Sequence, residues 1–361
     1  MIEKRERHRR FFEPLEKGEG GYLAVTSPID DSGQVKVEVP SPKSAEEKWL
    51  STEYRLQRAE AAAQNIFWGQ DAIHHEFVNF GPGVQAALLG APYKIEPDSI
   101  WFDTDPPLKD WDNMPAFVTD KEHELYKAIE DHTRSLCAAS KGRYAVSITD
   151  IGGQLDVLFS LRGEELLMDL IDYPDKVLAL QSHLDDEFLK YCKTLCDIIE
   201  PTGCGFTSWM PLLSDSVYYP IQCDFSVMIS PAMFEKFAMP SLDRISREVG
   251  CAIYHLDGPE EIQHLEMLLS LKHVHAIQWT PLPKPVGGNY NQHFNDEMSF
   301  EVYRRSLKAG KKIVLLGVEP SQVPDIFNNI GSDGVFITTS CPSRKEADVL
   351  IEYARKNWLR D

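Results

Sequence analysis

Four times in succession between residues 251 and 357, an apolar, β-branched run gives way to a helix-length amphipathic stretch. The pairs are 251–257 with 259–271, 274–280 with 298–309, 312–318 with 320–330, and 334–340 with 343–357. Neighbouring strands joined through helices run parallel, because only a long crossover returns the chain to the same edge of a sheet. This confines the chain to an α/β architecture. Earlier runs at 144–149, 205–209 and 226–229, with helices at 163–172, 174–199 and 231–249, extend the alternation. The expected fold is a (β/α)8 TIM barrel. Its rival, an open doubly wound sheet, lacks a G-x-G-x-x-G after any strand.

The 361 residues suffice for one barrel plus an extension. Residues 1–75 read as an N-terminal helical extension and linker. They comprise a charged amphipathic helix, a break at Gly18-Glu19-Gly20-Gly21, apolar Tyr22-Leu23-Ala24-Val25, a Pro- and Ser-rich stretch, and a helix from Ser44 to about Phe67. Residues 76–361 then form the barrel, with 76–135 as an irregular cap turned at Phe80-Gly81-Pro82-Gly83, Trp101-Phe102-Asp103 and Pro106-Pro107. No apolar stretch approaches the roughly 18 to 20 residues of a membrane span. The charged start lacks the apolar stretch of a signal peptide, so a cytoplasmic protein is expected. Seven irregularly spaced cysteines do not make a disulfide framework. A formal charge of −19 argues against a nucleic-acid partner.

In parallel barrels the chemistry sits at the carboxyl ends of the strands, which selects a short set of side chains by position. His255 and Asp257 close the first of the four strands; two apart, they face one side. Gln278 and Trp279 close the second, Glu319 follows the third, and Cys341 follows the fourth. A polar and aromatic segment contributes Trp209, Ser214, Asp215, Cys223 and Asp224. An imidazole, a carboxylate and a thiolate suit Zn²⁺, leaving its fourth position for water or substrate. Without metal, Asp257 orients His255 as a general base or acts as one itself. Trp279 has two readings, core packing and substrate stacking. Cys192 and Cys196 lie one helical turn apart among apolar neighbours and read as structural. His74-His75 and His273-Val274-His275 are placed away from the chemistry, and Asp185-Asp186-Glu187 reads as a solvated helix face.

Four stretches carry a resemblance to a known family. They are Gly152-Gly153 through Leu161-Arg162-Gly163-Glu164 to Tyr173-Pro174; Asp224-Phe225 with Ile229-Ser230-Pro231 through Phe237 and Pro240; Ile277-Gln278-Trp279-Thr280; and Leu316-Gly317-Val318-Glu319-Pro320. In this order they resemble the uroporphyrinogen decarboxylase superfamily over roughly residues 140–358. The site pattern is most similar to its cobalamin-dependent methyltransferase branch, such as the methylcobamide:coenzyme M methyltransferases. The resemblance implies a (β/α)8 barrel and a zinc site of the pattern His-x-Cys with a later Cys. His255 and Cys341 match the outer ligands, while Asp257 stands where that branch has cysteine. The Arg-rich signature with which the decarboxylases grip substrate carboxylates has no counterpart near residues 15–80.

The expectation is therefore a zinc-dependent methyltransferase that moves a methyl group between a corrinoid and a small acceptor or donor. The metal ligands would be His255, Asp257 and Cys341. His255, Asp257 and Asp224 would be catalytic, and Trp279, Gln278, Trp209 and Glu319 would contact substrate. No corrinoid-binding Asp-x-His-x-x-Gly is present, so the corrinoid would arrive in trans on a partner protein. Two alternatives stand beside it: a metal-free decarboxylase or lyase acting on a smaller acid, and a non-catalytic module that binds a tetrapyrrole or a corrinoid protein.

Overall fold

A computed structural model describes residues 2–29, 36–102, 105–286 and 289–360; Asp103, in one of the expected turns, lies outside them. The main sheet has seven strands: β1 (Tyr22–Pro28), β2 (Ile66–Gln70), β3 (Tyr219–Ile221), β4 (Ala252–Asp257), β5 (Val274–Thr280), β6 (Lys312–Leu315) and β7 (Val335–Ser340). Their spatial order is β2-β1-β7-β6-β5-β4-β3. Every neighbouring pair is parallel except β1 with β2. The four C-terminal strands are the four apolar runs of the sequence; helices Leu265–Ser270, Glu297–Lys308 and Val323–Ile330 are the crossovers between them, and Arg344–Asn357 follows the last. A separate parallel pair joins His75–Glu76 to Ala145–Val146, and Ser147 bridges Thr207, again parallel. The α/β class with a central parallel sheet thus holds. Among the described residues the hydrogen-bonded ladder is a seven-stranded sheet, not a closed ring of eight.

Both faces of the sheet are covered, as parallel sheets require. Alternation separates two apolar layers. Tyr22, Ala24, Ile253, Ala276, Val314 and Phe336 point to one side and pack with Phe11, Met210 and Tyr218. Leu23, Val25, Tyr254, Leu256, Ile277, Trp279 and Ile337 point to the other, into the large core beneath the helices.

The first helix, Ile2–Phe11, is tied to the first of these layers by charged groups as well as by Phe11. Arg7 bonds Asp71 at 2.5 Å, Lys4 donates to the carbonyls of Trp68 and Ala72, and His275 Nε2 lies 2.6 Å from the Phe11 carbonyl. The fully buried Lys312 meets Glu19 at 2.9 Å and donates to the Arg10 carbonyl. What reads in sequence as an extension therefore supplies a sheet-capping helix and two strands. Residue 75 marks no break in the sheet.

Three further expectations change. Residues 226–228 lie in a 3-10 turn, Asp224–Met228, which Ile229 caps, and the strand of this region is β3, five residues earlier in the chain. Pro220 hides that strand by interrupting its apolar pattern. Asp185 and Glu187 are buried, not solvated. Asp185 accepts from Ser241, and Glu187 accepts from Thr119 N at 2.9 Å and binds Lys190, because the long helix Pro174–Ile199 is packed on several sides. Residues 76–135 are not wholly irregular: helix Glu124–Ser140 begins within them. Among the described residues no helix is long and apolar enough to cross a membrane.

Candidate functional site

Strand β4 delivers His255 and Asp257 to its carboxyl end on one face, with β5 aligned beside it so that Gln278 faces His255 and Thr280 faces Asp257. The third member comes from the 3-10 turn that follows β3. Asp224 opens that turn, which is held by His264 Nε2 against the Ser226 carbonyl at 3.1 Å. The ligand atoms of Asp224, His255 and Asp257 all lie within 4.8 Å of one another. Asp224 and Asp257 are exposed and His255 is half-buried, so the cluster opens to solvent.

His255 is oriented from two directions. Its Nδ1 meets Gln278 Oε1, while Gln278 Nε2 donates to Thr280 Oγ1 at 2.9 Å. With the amide so placed, Nδ1 carries the proton and Nε2 presents the lone pair. Trp209 packs its ring at 5.1 Å and 84° against the imidazole, restricting its rotation.

Carboxyl groups crowd this centre, and each loses solvent. Burial, then the nearby Asp224 charge, pushes Glu261 up to about 9; its Oε2 accepts from Asp257 N at 3.3 Å. Burial, then Asp224, lifts Asp156 to about 7, against the hydrogen bond that its Oδ1 accepts from Phe225 N at 2.7 Å. Burial also raises Asp150 to about 6, opposed by bonds from Gly152 N and the Tyr219 hydroxyl. Asp224 is shifted upward by desolvation, which His255 opposes and Asp257 reinforces. Its side chain has an open edge, yet protein atoms surround the carboxylate closely enough to strip solvent from it.

Asp150, Asp156 and Glu261 were not singled out in the sequence. The available signals were Gly152-Gly153 and a carboxylate one turn after Asp257. Gly152 has φ +100°, and a Cβ there would collide with the Pro82 carbonyl; one at Gly153 would collide with Gln222 and Asp156. The close approach that places Asp156 beside the turn thus needs both glycines.

The remaining residues named from sequence fall in different places. Cys341 is buried, its N donating to the Thr26 carbonyl at 2.8 Å and its thiol near Glu346. It belongs to none of the clusters of three or more potential ligands among the described residues. It lies one residue beyond β7, its backbone continuing the pairing with β1, and Asp224 is the third member of the cluster. Trp279 is fully buried in the core and donates to Ser299 Oγ at 3.0 Å, so packing rather than substrate contact describes it. The reason is parity: Gln278 occupies the site face and its neighbour must face the helices. Gln278 itself acts on His255. Glu319 is exposed on the turn after β6.

A cavity of about 350 Å³ adjoins the cluster and shares Asp224 with it. Its walls include Trp101, Phe102, Phe159 and Phe225, and Asp156 and Gln222 also line it.

No protein-family model matches the chain, and no curated protein matches its sequence. Among solved structures, a methyltransferase from Methanosarcina mazei superposes with a TM-score of 0.61 at 12% identity, covering 98% of each chain. The likeness spans nearly the whole length of both chains, and it establishes that the two proteins share a fold.

Proposed function

We propose that this protein is a metal-dependent methyltransferase of the uroporphyrinogen decarboxylase type. Asp224, His255 and Asp257 would hold Zn²⁺, and a methyl group would pass between a small molecule and a corrinoid carried by a partner protein. The observation that carries the reading is the convergence of those three side chains around one point at the carboxyl edge of a parallel sheet. Ligands favour that edge in closed barrels and open sheets alike. The full-length likeness to a methyltransferase supports the same reaction type.

The donor set fits a divalent cation. One imidazole with its far nitrogen held by an amide, and two carboxylates, offer three ligands and leave an open position. Zinc in such a site polarises the bound group and lowers its pKa. The chain's own part is to aim His255 through Gln278, to balance two positive charges with Asp224 and Asp257, and to limit rotation of the ring through Trp209. The adjoining cavity is at the small end for ligand pockets, which matches a small substrate while the corrin ring stays outside on its carrier.

Metal analysis tests the reading. Purified protein should carry about one zinc, or take it up, and His255→Ala should abolish uptake. Protein that binds no divalent metal, with His255→Ala indistinguishable from wild type, removes the proposal.

A second reading has its own support in the carboxyl groups lifted to about 6, 7 and 9, for Asp150, Asp156 and Glu261. An acid poised near neutrality can give and take protons, as a metal-free decarboxylase or lyase demands. Activity that survives chelation and follows a single group near pH 7 would select it.

A further inference from the structure

The cavity beside the triad has an unbalanced chemistry. Four aromatic rings line it, Asp156 and Asp224 border it, and none of its lining residues is Lys, Arg or His. Phe159 and Phe225 stand with ring centroids 5.5 Å apart. Gln222 also lines the cavity; it is only 5% exposed, and its side-chain amide has no hydrogen-bond partner among the described residues. The amide is therefore free to engage a ligand in the cavity.

Three kinds of small molecule can be compared on these groups. An anion meets two carboxylates and no cation, so it is repelled. A neutral apolar molecule fills the aromatic walls but leaves both carboxylates and the amide unmatched. A methylated ammonium ion offers charge to the carboxylates and methyl groups to the ring faces, the arrangement that aromatic cages use for such cations. The Gln222 side-chain oxygen is an acceptor suited to an N–H on the same nitrogen. Bound zinc does not remove this preference, because Asp224 and Asp257 balance the metal and a cation in the cavity favours the ionised form of Asp156 beside it.

We propose that the cavity bordered by Asp156, Asp224 and Gln222 binds an N-methylated organic ammonium ion carrying an apolar group. Its role as the methyl-bearing substrate rests on the function proposed above; its binding does not. In that role the C–N bond breaks with its electron pair left on nitrogen, yielding the free amine. The electron pair of the reduced corrinoid on the partner takes the methyl group.

Calorimetry with three probes of similar size tests the inference: N,N-dimethylbenzylammonium, neutral benzyl methyl ether and benzoate. The ammonium ion should bind at least ~10-fold more tightly than the ether, and benzoate should not bind. Gln222→Leu should weaken N,N-dimethylbenzylammonium about tenfold while barely changing benzyltrimethylammonium, which has no N–H. Equal or tighter binding of the ether, or any binding of benzoate, overturns the proposal. The wild-type comparison stands even if the variant fails to fold. Selective ammonium binding by protein that takes up no zinc would sink the metal reading and leave this one; zinc uptake without ammonium selectivity would do the reverse.

Discussion

At the scale of single residues, the site depends on side chains that touch the proposed ligands as much as on the ligands. Gln278 is the clearest case, since among the described residues it is the one that holds Nδ1 of His255. Gln278→Leu should lower zinc affinity about 10- to 100-fold, the usual cost of losing such a partner, while leaving the fold intact. Competition with a chromogenic chelator reads this directly. Glu261 gives a pH signature. Its carboxyl titrates at about 9 in the fold against an ordinary 4.5, so the folded state holds an extra proton between those values. Stability must then fall as pH rises through that window, because ionising the buried acid costs more than ionising it in the unfolded chain. Asp150 and Asp156 add to the decline only up to about 6 and 7. In chelator, the wild-type melting temperature should therefore drop between about pH 7 and 9, and Glu261→Gln should flatten that part of the curve. An equally steep decline in the variant would count against the assignment.

At the scale of elements, the parallel strands were legible because each carries its apolar run unbroken, and their alternation with helices leaves one class of sheet. His255 and Asp257 were legible for the same reason: they end such a run two residues apart. Asp224 was found as a polar residue of the middle segment, but its place in the triad depends on a 3-10 turn that has no periodic signal. Cys341 shows the opposite case, a residue at the end of a strand whose buried thiol does not join the cluster. Tyr22–Pro28 was hidden by its neighbours, since a glycine break before it and a linker after it make a central strand look like an appendage. The helix Ile2–Phe11 shares that fate, although Phe11 is fully buried against Tyr22 and Phe336. Phe11→Ala should cost about 3–5 kcal/mol in chemical denaturation. Its zinc content should be unchanged, because the ring lies in the apolar layer and not in the triad.

At the scale of the whole molecule, metal and stability are linked. An ion that binds only the folded chain adds about 2.7 kcal/mol when present at 100 times its dissociation constant. Thermal denaturation with and without zinc should show that gain in wild type and none in His255→Ala. The formal charge of −19 works in the same direction, since a divalent cation relieves repulsion among crowded acids. The sheet order has a different outcome for biogenesis. Tyr22 pairs with Phe336 and Thr26 with Ser340, so during synthesis β1 has β2 on one side and an empty edge on the other until β7 is made. That edge stays open through the synthesis of every strand between β2 and β7. Bare strand edges recruit wrong partners, so nascent chains stalled before Val335 should be the form that chaperones hold and that clumps when they are scarce.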